Sequence, residues 1–137
     1  MDQRLFYLLN MARHRVYQHA DHEARDQLGV GVTQLGALFL IARNPGCLQK
    51  DLADQLNLNN PALTGLAGRM EENGLIRRQP CEQDKRASRL YLTELGSSKI
   101  QQARPLIEQL NAALTEGFTP EEIQVVLRFL HHLLKNF

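Results

Sequence analysis

The sequence predicts a mainly α-helical protein with one short β-hairpin, and three observations indicate it. Apolar residues recur at helical spacing over most of the chain. Two runs with strand character, Leu75–Gln79 and Ser88–Thr93, interrupt that spacing and are joined by the charged loop Pro80–Ala87. The length of 137 residues is that of one domain. We therefore expect a single domain, residues 1–137, with the hairpin inside a helical chain.

Composition excludes several classes of protein. The formal net charge of +1 argues against a generic polycation, although residues 59–93 carry six basic and four acidic side chains, or +2, which leaves −1 for the remainder. No apolar run is long enough to span a bilayer, and the amphipathic N-terminus lacks the continuous apolar core of a signal peptide. We therefore expect a cytoplasmic protein with no membrane partner.

Three helices are expected before residue 59. One apolar stripe spans about residues 3 to 26 and comprises Leu5, Leu8, Leu9, Ala12, Val16 and Ala20. Gly29 and Gly31 should break this helix. Thr33 should cap a second helix that ends at Asn44-Pro45-Gly46, and a third should run from about Gln49 to Leu56.

The next helix has the strongest start signal in the chain. Asn60 can cap it, and Pro61 suits the first helical position because no N–H is needed there. Its expected buried stripe is Leu63, Leu66, Ala67 and Met70. Its other face carries small or hydrogen-bonding residues, namely Ala62, Thr64, Gly65, Gly68 and Arg69. Gly74 after Asn73 is a natural left-handed stop.

The hairpin that follows is basic. Asp84-Lys85-Arg86 lies where the chain must turn, and an Asp two residues before an Arg can hold its guanidinium bidentately and aim it. Arg77 and Arg78 alternate faces of the first strand, so one of them should pair with Glu71 or Glu72. A helix with a small, polar outer face followed by a basic hairpin is the layout of a winged helix-turn-helix.

That layout fits the two readable features of DNA. The major groove admits one α-helix, whose short polar side chains and Arg read base edges, and the narrow minor groove attracts an inserted Arg. Base contact and phosphate contact are both open for the residues of the helix. The expected DNA-binding residues are Asn59, Asn60, Ala62, Thr64, Gly65, Arg69, Asp84, Lys85, Arg86 and Arg89.

Two long helical segments follow the hairpin. The first has the seam Ile100, Ala103, Ile107, Leu110 and Leu114, and Pro105 should kink it. Thr119-Pro120-Glu121-Glu122 is a capping box that begins the last helix. The side chains of this helix that we expect to be buried are Ile123, Val126, Leu127, Leu130, Leu134 and Phe137. Because the first and last helices have no sequence-local partner for their apolar faces, we expect a symmetric homodimer in which these helices interlock.

The stretch from Asp51 to Gly96 resembles the DNA-binding core of the MarR family of bacterial repressors. The matching elements are the L-A-x-x-L of the third helix, P-A-L-T at the start of the next helix, R-M-E-x-x-G-L-I at its end, D-K-R at the hairpin tip and L-T-E-x-G at the exit. Two departures are Ala87, where many members carry an acidic residue, and Cys47-Leu48-Gln49, which lacks the usual Ser or Thr cap. The motifs cover about a third of the chain, and flanking helices extend the match.

The resemblance implies a transcriptional regulator, a repressor that binds a pseudo-palindromic operator as a homodimer. Residues 1–30 and 95–137 would form the dimerisation helices, and residues 33–94 the DNA-binding lobe. It also implies a small aromatic or phenolic anion as effector. The expected lining of the effector pocket is Phe6, Met11, Arg13, Tyr17 and Phe39. The alternative is that these residues simply fill the core and the dimer seam.

Other functions have weaker support. The histidines lack the accompanying ligands of a metal site, and the spacing of Cys47 and Cys81 matches neither a zinc motif nor a disulfide framework. Redox sensing by Cys81 stays an alternative, because Arg77, Arg78 or Lys85 could stabilise its thiolate. We expect no enzyme activity, no metal and no cofactor. The remaining alternative is a winged-helix module that binds a protein through its hairpin and does not bind DNA.

Overall fold

The computed structural model describes residues 3–137. Its helices are α1 Leu5–Leu28, α2 Val32–Arg43, α3 Gln49–Leu56, α4 Asn60–Glu72, α5 Glu94–Thr115 and α6 Pro120–Asn136. Its strands are β1 Cys47–Leu48, β2 Ile76–Pro80 and β3 Ser88–Leu92. No helix in this described range is both long enough and apolar enough to cross a membrane.

The chain forms two compact units, one that ends at Arg104 and one that comprises Pro105–Phe137. Helix α5 contains the boundary, which falls at Pro105. The first unit holds α1 to α4, the three strands and the first half of α5. The second holds the rest of α5 and all of α6.

The three strands form one antiparallel sheet in the order β1-β3-β2. The predicted hairpin is confirmed: Ile76 pairs with Leu92 at one end of the register, and Pro80 pairs with Ser88 at the other. The sequence did not indicate β1, because a strand of two residues shows no alternation. Cys47 lies opposite Leu90, so β1 joins the segment before α3 to the base of the hairpin.

The core of the first unit lies between its helices and the sheet. The largest fully buried side chains are Leu38, Ile41, Leu52, Leu63, Met70, Leu75, Ile76 and Leu90. The predicted buried stripe of α4 is confirmed, since its four members are at most 5% exposed. This stripe fixes which side of α4 faces outward.

The start of α2 differs from the sequence-based prediction. Gly31, and not Thr33, is at the N-cap, and no side-chain cap comes from within the segment. The cap instead comes from α1, because Asp21 Oδ1 accepts a hydrogen bond of 2.9 Å from the Val32 backbone N–H. The other oxygen, Oδ2, accepts from Arg25 Nε at 2.8 Å. A partner eleven residues away along the chain could not be read from local cap signals.

Asp21 should make stability depend on acid pH. The hydrogen bond from Arg25, followed by that from Val32, holds the pKa of Asp21 below its ordinary value of 3.8. A carboxyl with a depressed folded-state pKa adds stability above the unfolded-state value and loses it as the pH falls through the folded-state value. We expect Asp21→Asn to lower the urea midpoint at neutral pH, and the difference from wild type to shrink below about pH 4. Asp26→Asn, an exposed change on the same helix, is the control; an equal pH dependence in both variants would contradict this role.

Candidate nucleic-acid interface

The start of α4 is fixed by Asn59. Its Oδ1 accepts a hydrogen bond of 2.8 Å from the Ala62 N–H, so Asn59 is the N-cap and Asn60 is the first helical residue. The prediction that Asn60 caps the helix was therefore wrong by one position. Pro61 tolerates this shift, since the second helical position also has no intrahelical use for an N–H. The Asn60 side chain is left exposed at the helix start.

Gly65 and Arg69 lie on the outer side of α4, opposite the buried stripe. A Cβ at Gly65 would lie 3.3 Å from Arg69 Nη1, so the guanidinium group of Arg69 lies against the space that the glycine leaves. This agrees with the tilt of helical side chains toward the N-terminus. The outer side of the helix therefore presents an exposed guanidinium beside bare backbone.

The tip of the hairpin is shaped by Asp84. Its Oδ1 accepts a hydrogen bond of 3.0 Å from the backbone N–H of Arg86, and its carbonyl oxygen accepts from the Ala87 N–H at 2.9 Å. The expectation that Asp84 holds the Arg86 guanidinium was wrong, because a carboxylate in a tight turn reaches the backbone N–H two residues later. Arg86 and Lys85 are exposed at the tip.

A cleft of about 250 Å³ brings the helix start and the hairpin tip together. Its lining comes from α3, α4 and the hairpin: Gln49, Lys50, Asn60, Asp84, Arg86, Ala87 and Ser88. Gln49 and Lys50 were not among the predicted residues, because only the packing of α3 against the hairpin base places them here. Two cations, Lys50 and Arg86, share this cleft with one carboxylate, Asp84.

A second cleft, of about 430 Å³, lies on the other side of α4. Ala62 and Arg69 line it from α4, and Arg25, Thr33 and Gln34 line it from α1 and α2. The predicted residues of α4 are thus divided between two sides, with Asn60 toward the hairpin and both Ala62 and Arg69 toward α1 and α2.

Two of the three remaining arginines of the hairpin have structural contacts. Arg89 is half-buried, and its Nη1 donates to the Gly46 carbonyl oxygen at 2.8 Å, which fastens β3 to the loop before β1. Arg78 donates to Glu71 Oε1 from Nε at 3.1 Å and from Nη2 at 2.9 Å, which confirms the predicted pairing of one strand arginine. Arg77 is exposed.

The two cysteines lie in different electrostatic environments, and both are buried. Backbone N–H groups of Asp84 and Gln83 lower the pKa of the Cys81 thiol from its ordinary 9.0, and Arg89 adds to the effect. Burial, with Asp51 adding to it, raises the pKa of Cys47. Within residues 3–137, no three His, Cys, Asp or Glu side chains are grouped so that they could hold a metal ion.

The five predicted effector residues are only partly brought together. The guanidinium carbon of Arg13 lies 5.8 Å from the centroid of the Tyr17 ring, and the Tyr17 hydroxyl bonds to that of Thr33. Phe6 is 81% exposed, whereas Met11 and Phe39 are half-buried. None of the five lines either of the two clefts beside α4.

Both long terminal helices carry exposed apolar side chains. On α1 these are Leu5, Phe6, Tyr7, Leu8, Leu9, Val16 and Tyr17. On α6 they are Val125, Val126, Leu127, Leu130 and Leu134, and no residue of α6 is buried. The side chains of the last helix that were predicted to be buried are therefore at most partly covered within one chain.

The sequence and the fold both match known proteins. The model of the MarR family matches residues 28–87. MepR of S. aureus, solved as a DNA complex, is 23% identical with a TM-score of 0.89, over 99% of this chain and 100% of that one. A MarR family transcriptional regulator from Streptomyces coelicolor, also solved with DNA, is 22% identical with a TM-score of 0.88, over 97% and 85%.

A third solved structure carries a ligand. It is the PcaV transcriptional regulator from Streptomyces coelicolor in complex with its natural ligand, which is 18% identical with a TM-score of 0.78, over 96% of this chain and 90% of that one. These likenesses confirm the predicted fold class, a mainly α winged helix-turn-helix with a short hairpin. Residues 28–87 therefore match the MarR family model, and the chain shares the fold of a solved MarR family regulator.

Proposed function

We propose that this protein is a sequence-specific, double-stranded DNA-binding transcriptional regulator that acts as a homodimer and is not an enzyme. One observation carries the proposal: the start of α4 and the tip of the hairpin line a single cleft, with Asn60 on one wall and Arg86 on another. Two elements that could read adjacent grooves are thereby held on one surface of the first unit. Since its target would be chromosomal DNA, we place the protein in the cytoplasm.

In this proposal α4 enters the major groove and the hairpin tip follows the minor groove. The outer side of α4 presents Thr64, Gly65 and Arg69, which are small enough or polar enough for a close approach to base edges. Arg86 is exposed at the tip and would enter the minor groove, where negative potential is enhanced. Lys85 and Lys50 would contact phosphates, which position the protein without reading sequence.

The homodimer is supported by the exposed apolar side chains of α1 and α6. Contiguous apolar surface on a single chain marks an interaction site, and here it lies on long helices. We assign residues 1–30 and 95–137 to dimerisation and residues 33–94 to the DNA-binding lobe. A two-fold dimer would present two α4 helices to two half-sites about one helical turn apart, which corresponds to a pseudo-palindromic operator.

We further propose that a small aromatic anion releases the protein from its operator, so that it acts as a repressor. The fold likeness to a ligand-bound regulator supports an effector, and the stacking of Arg13 on Tyr17 offers a cation beside an aromatic ring. A ligand shifts binding only if it prefers one of two dimer arrangements. Phe6, Met11 and Phe39 are the other proposed lining residues.

Arg86→Ala tests the interface. We expect the free energy of binding to a specific DNA duplex to become less favourable by about 1–3 kcal/mol, the size of one groove contact. The thermal stability should not fall, because the residue is exposed. The measurement is a fluorescence-anisotropy titration at two salt concentrations, since phosphate neutralisation weakens with salt. Arg104→Ala removes the same charge from the exposed side of α5 and should change affinity little. Equal affinity in both variants would remove the hairpin from the mechanism, and salt-independent binding would favour a protein-binding module.

Arg13→Ala tests the effector. Millimolar salicylate is expected to release DNA from the wild-type complex. Arg13→Ala should need about 10- to 150-fold more of the anion, because the loss of a charge-assisted contact costs about 1.5–3 kcal/mol, while DNA affinity without ligand stays unchanged. Arg15→Ala, an exposed arginine two residues later, is the matched control. If salicylate leaves the wild-type complex intact, the effector belongs to another chemical class or is absent.

A further inference from the structure

The hydroxyl group of Thr64 is already occupied within the protein. Thr64 Oγ1 donates to the Asn60 carbonyl oxygen at 2.9 Å and accepts from Gln49 Nε2 at 3.1 Å. A threonine hydroxyl has one proton to donate, and here the backbone of α4 receives it. Thr64 therefore has no hydroxyl proton left for an acceptor on a base edge.

The part of Thr64 that remains for DNA is apolar. The Thr64 side chain is exposed, and its Cβ carries only the hydroxyl and a methyl group. The hydroxyl is directed to the helix's own backbone and to α3, so the methyl group is the part of this exposed side chain that is not engaged in a hydrogen bond. In the major groove the apolar group on a base edge is the 5-methyl of thymine, and a threonine methyl is one of its partners.

We infer that Thr64 contacts the 5-methyl group of a thymine in each half-site, and that Gln49 is a positioning residue that holds Thr64 in the required rotamer. The inference rests on the proposed function, and it names one base that the protein reads. Gln49 also lines the cleft shared with Asn60 and Arg86. The thymine therefore lies on the side of the half-site toward the hairpin, and not on the side toward Ala62 and Arg69.

Gln49 contributes this contact at a cost to the fold. Its Oε1 atom is buried and has no hydrogen-bond partner within the described residues. A buried acceptor without a partner lowers stability, and an apolar side chain of the same length would avoid that loss. The hydrogen bond to Thr64 is thus the contribution that distinguishes glutamine from methionine at this position.

The test compares thymine with uracil, which pairs identically but lacks the 5-methyl group. A duplex selected by the protein from a random-sequence pool is resynthesised with each thymine replaced, one at a time, by deoxyuridine. One position per half-site should weaken binding about fourfold, which corresponds to about 0.8 kcal/mol for one methyl-sized group. That position should lie toward the end of the half-site that is nearest to Arg86 and the hairpin tip.

Three variants separate the roles. Thr64→Ser keeps the hydroxyl and deletes the methyl, so it should bind the thymine and uracil duplexes equally. Gln49→Met should reduce the thymine-to-uracil ratio toward one without lowering the melting temperature, a change that a purely structural residue would not produce. Gln55→Met, an exposed glutamine on the same helix, should keep the wild-type ratio.

Each of the other outcomes contradicts the thymine contact, the role of Gln49 or DNA binding itself. Equal binding of every thymine and uracil duplex by the wild type, or persistent discrimination by Thr64→Ser, would overturn the inference while leaving the DNA-binding function intact. Wild-type discrimination in Gln49→Met would overturn the role of Gln49. The absence of salt-dependent binding to any duplex would overturn the proposed function and this inference together.

Discussion

Gly96→Ala is expected to destabilise the first unit by about 3 kcal/mol or more, the upper range for overpacking in a rigid site. A Cβ at Gly96 would lie 2.2 Å from the Leu75 carbonyl oxygen, and within 3.5 Å of Leu38 Cδ2. The first of these neighbours is backbone, which cannot rotate away as a flexible side chain would. The change therefore requires α5 to move away from the turn that follows α4.

That movement would break a connected set of hydrogen bonds. The Thr93 N–H donates to the Leu75 carbonyl oxygen at 3.1 Å, and the Thr93 hydroxyl donates to the Gly74 carbonyl oxygen. The same hydroxyl accepts from the Gly96 N–H at 3.1 Å. Thr93 thus fastens the start of α5 to the end of α4, and a displaced Gly96 would lose its partner in this set.

The measurement is urea unfolding followed by circular dichroism. Gly68→Ala is the control, because a Cβ there meets no atom within 4 Å. An alanine in an open helical position should raise stability by about 0.4–1 kcal/mol through the unfolded state. Equal and small effects of the two changes would show that α5 does not pack on Leu75 as described.

Local patterns were sufficient for the elements that carry their own signals. The stripe of α4, the left-handed Gly74, the hairpin and the capping box at Thr119 were all predicted, and the structure confirms them. In each case the apolar period or the cap lies within a few residues of the element that it defines. The predicted position of the cap on α4 was wrong by one residue, because Asn59 and Asn60 are the same residue type.

Contacts between distant segments could not be predicted in this way. Asp21 caps α2 from another helix, and β1 exists only because Cys47 lies opposite Leu90. The same limit applies to the candidate site. Gln49 reaches Thr64 from fifteen residues earlier in the chain, and only the packing of α3 against α4 places the two side chains together. A polar residue at the start of a helix without a side-chain cap was the one available signal for Gln49.

The double change Leu127→Glu with Leu130→Glu is expected to convert the protein to a monomer and to weaken operator binding by about two to four orders of magnitude. Leu127 is 43% exposed and Leu130 40% exposed in the single chain, in a helix that has no buried residue. Such an apolar face is stable in water when a second copy covers it, and obligate interfaces of this kind are large and apolar. Two carboxylates in that interface would have to lose their hydration without gaining partners.

The loss of DNA affinity follows because the dimer links two DNA-binding subunits. When one subunit of a dimer is bound, the second meets its half-site at a high effective concentration, which raises avidity by about 10²–10⁴-fold. A monomer retains each contact of α4 and of the hairpin but loses that factor. The variant should therefore bind a single half-site as the wild-type subunit does, and should gain almost nothing from a second half-site.

Light scattering at micromolar concentration checks the expected monomer. Titrations of duplexes that carry one or two half-sites check the expected loss of DNA affinity. Gln124→Glu adds a carboxylate on the polar side of the same helix and should leave the mass and the affinity near those of the wild type. A wild-type chain that is itself a folded monomer would contradict the proposed homodimer. A double variant that stays dimeric would instead place the subunit contact elsewhere, with α1 and its exposed Phe6 and Leu5 as the next surface to change.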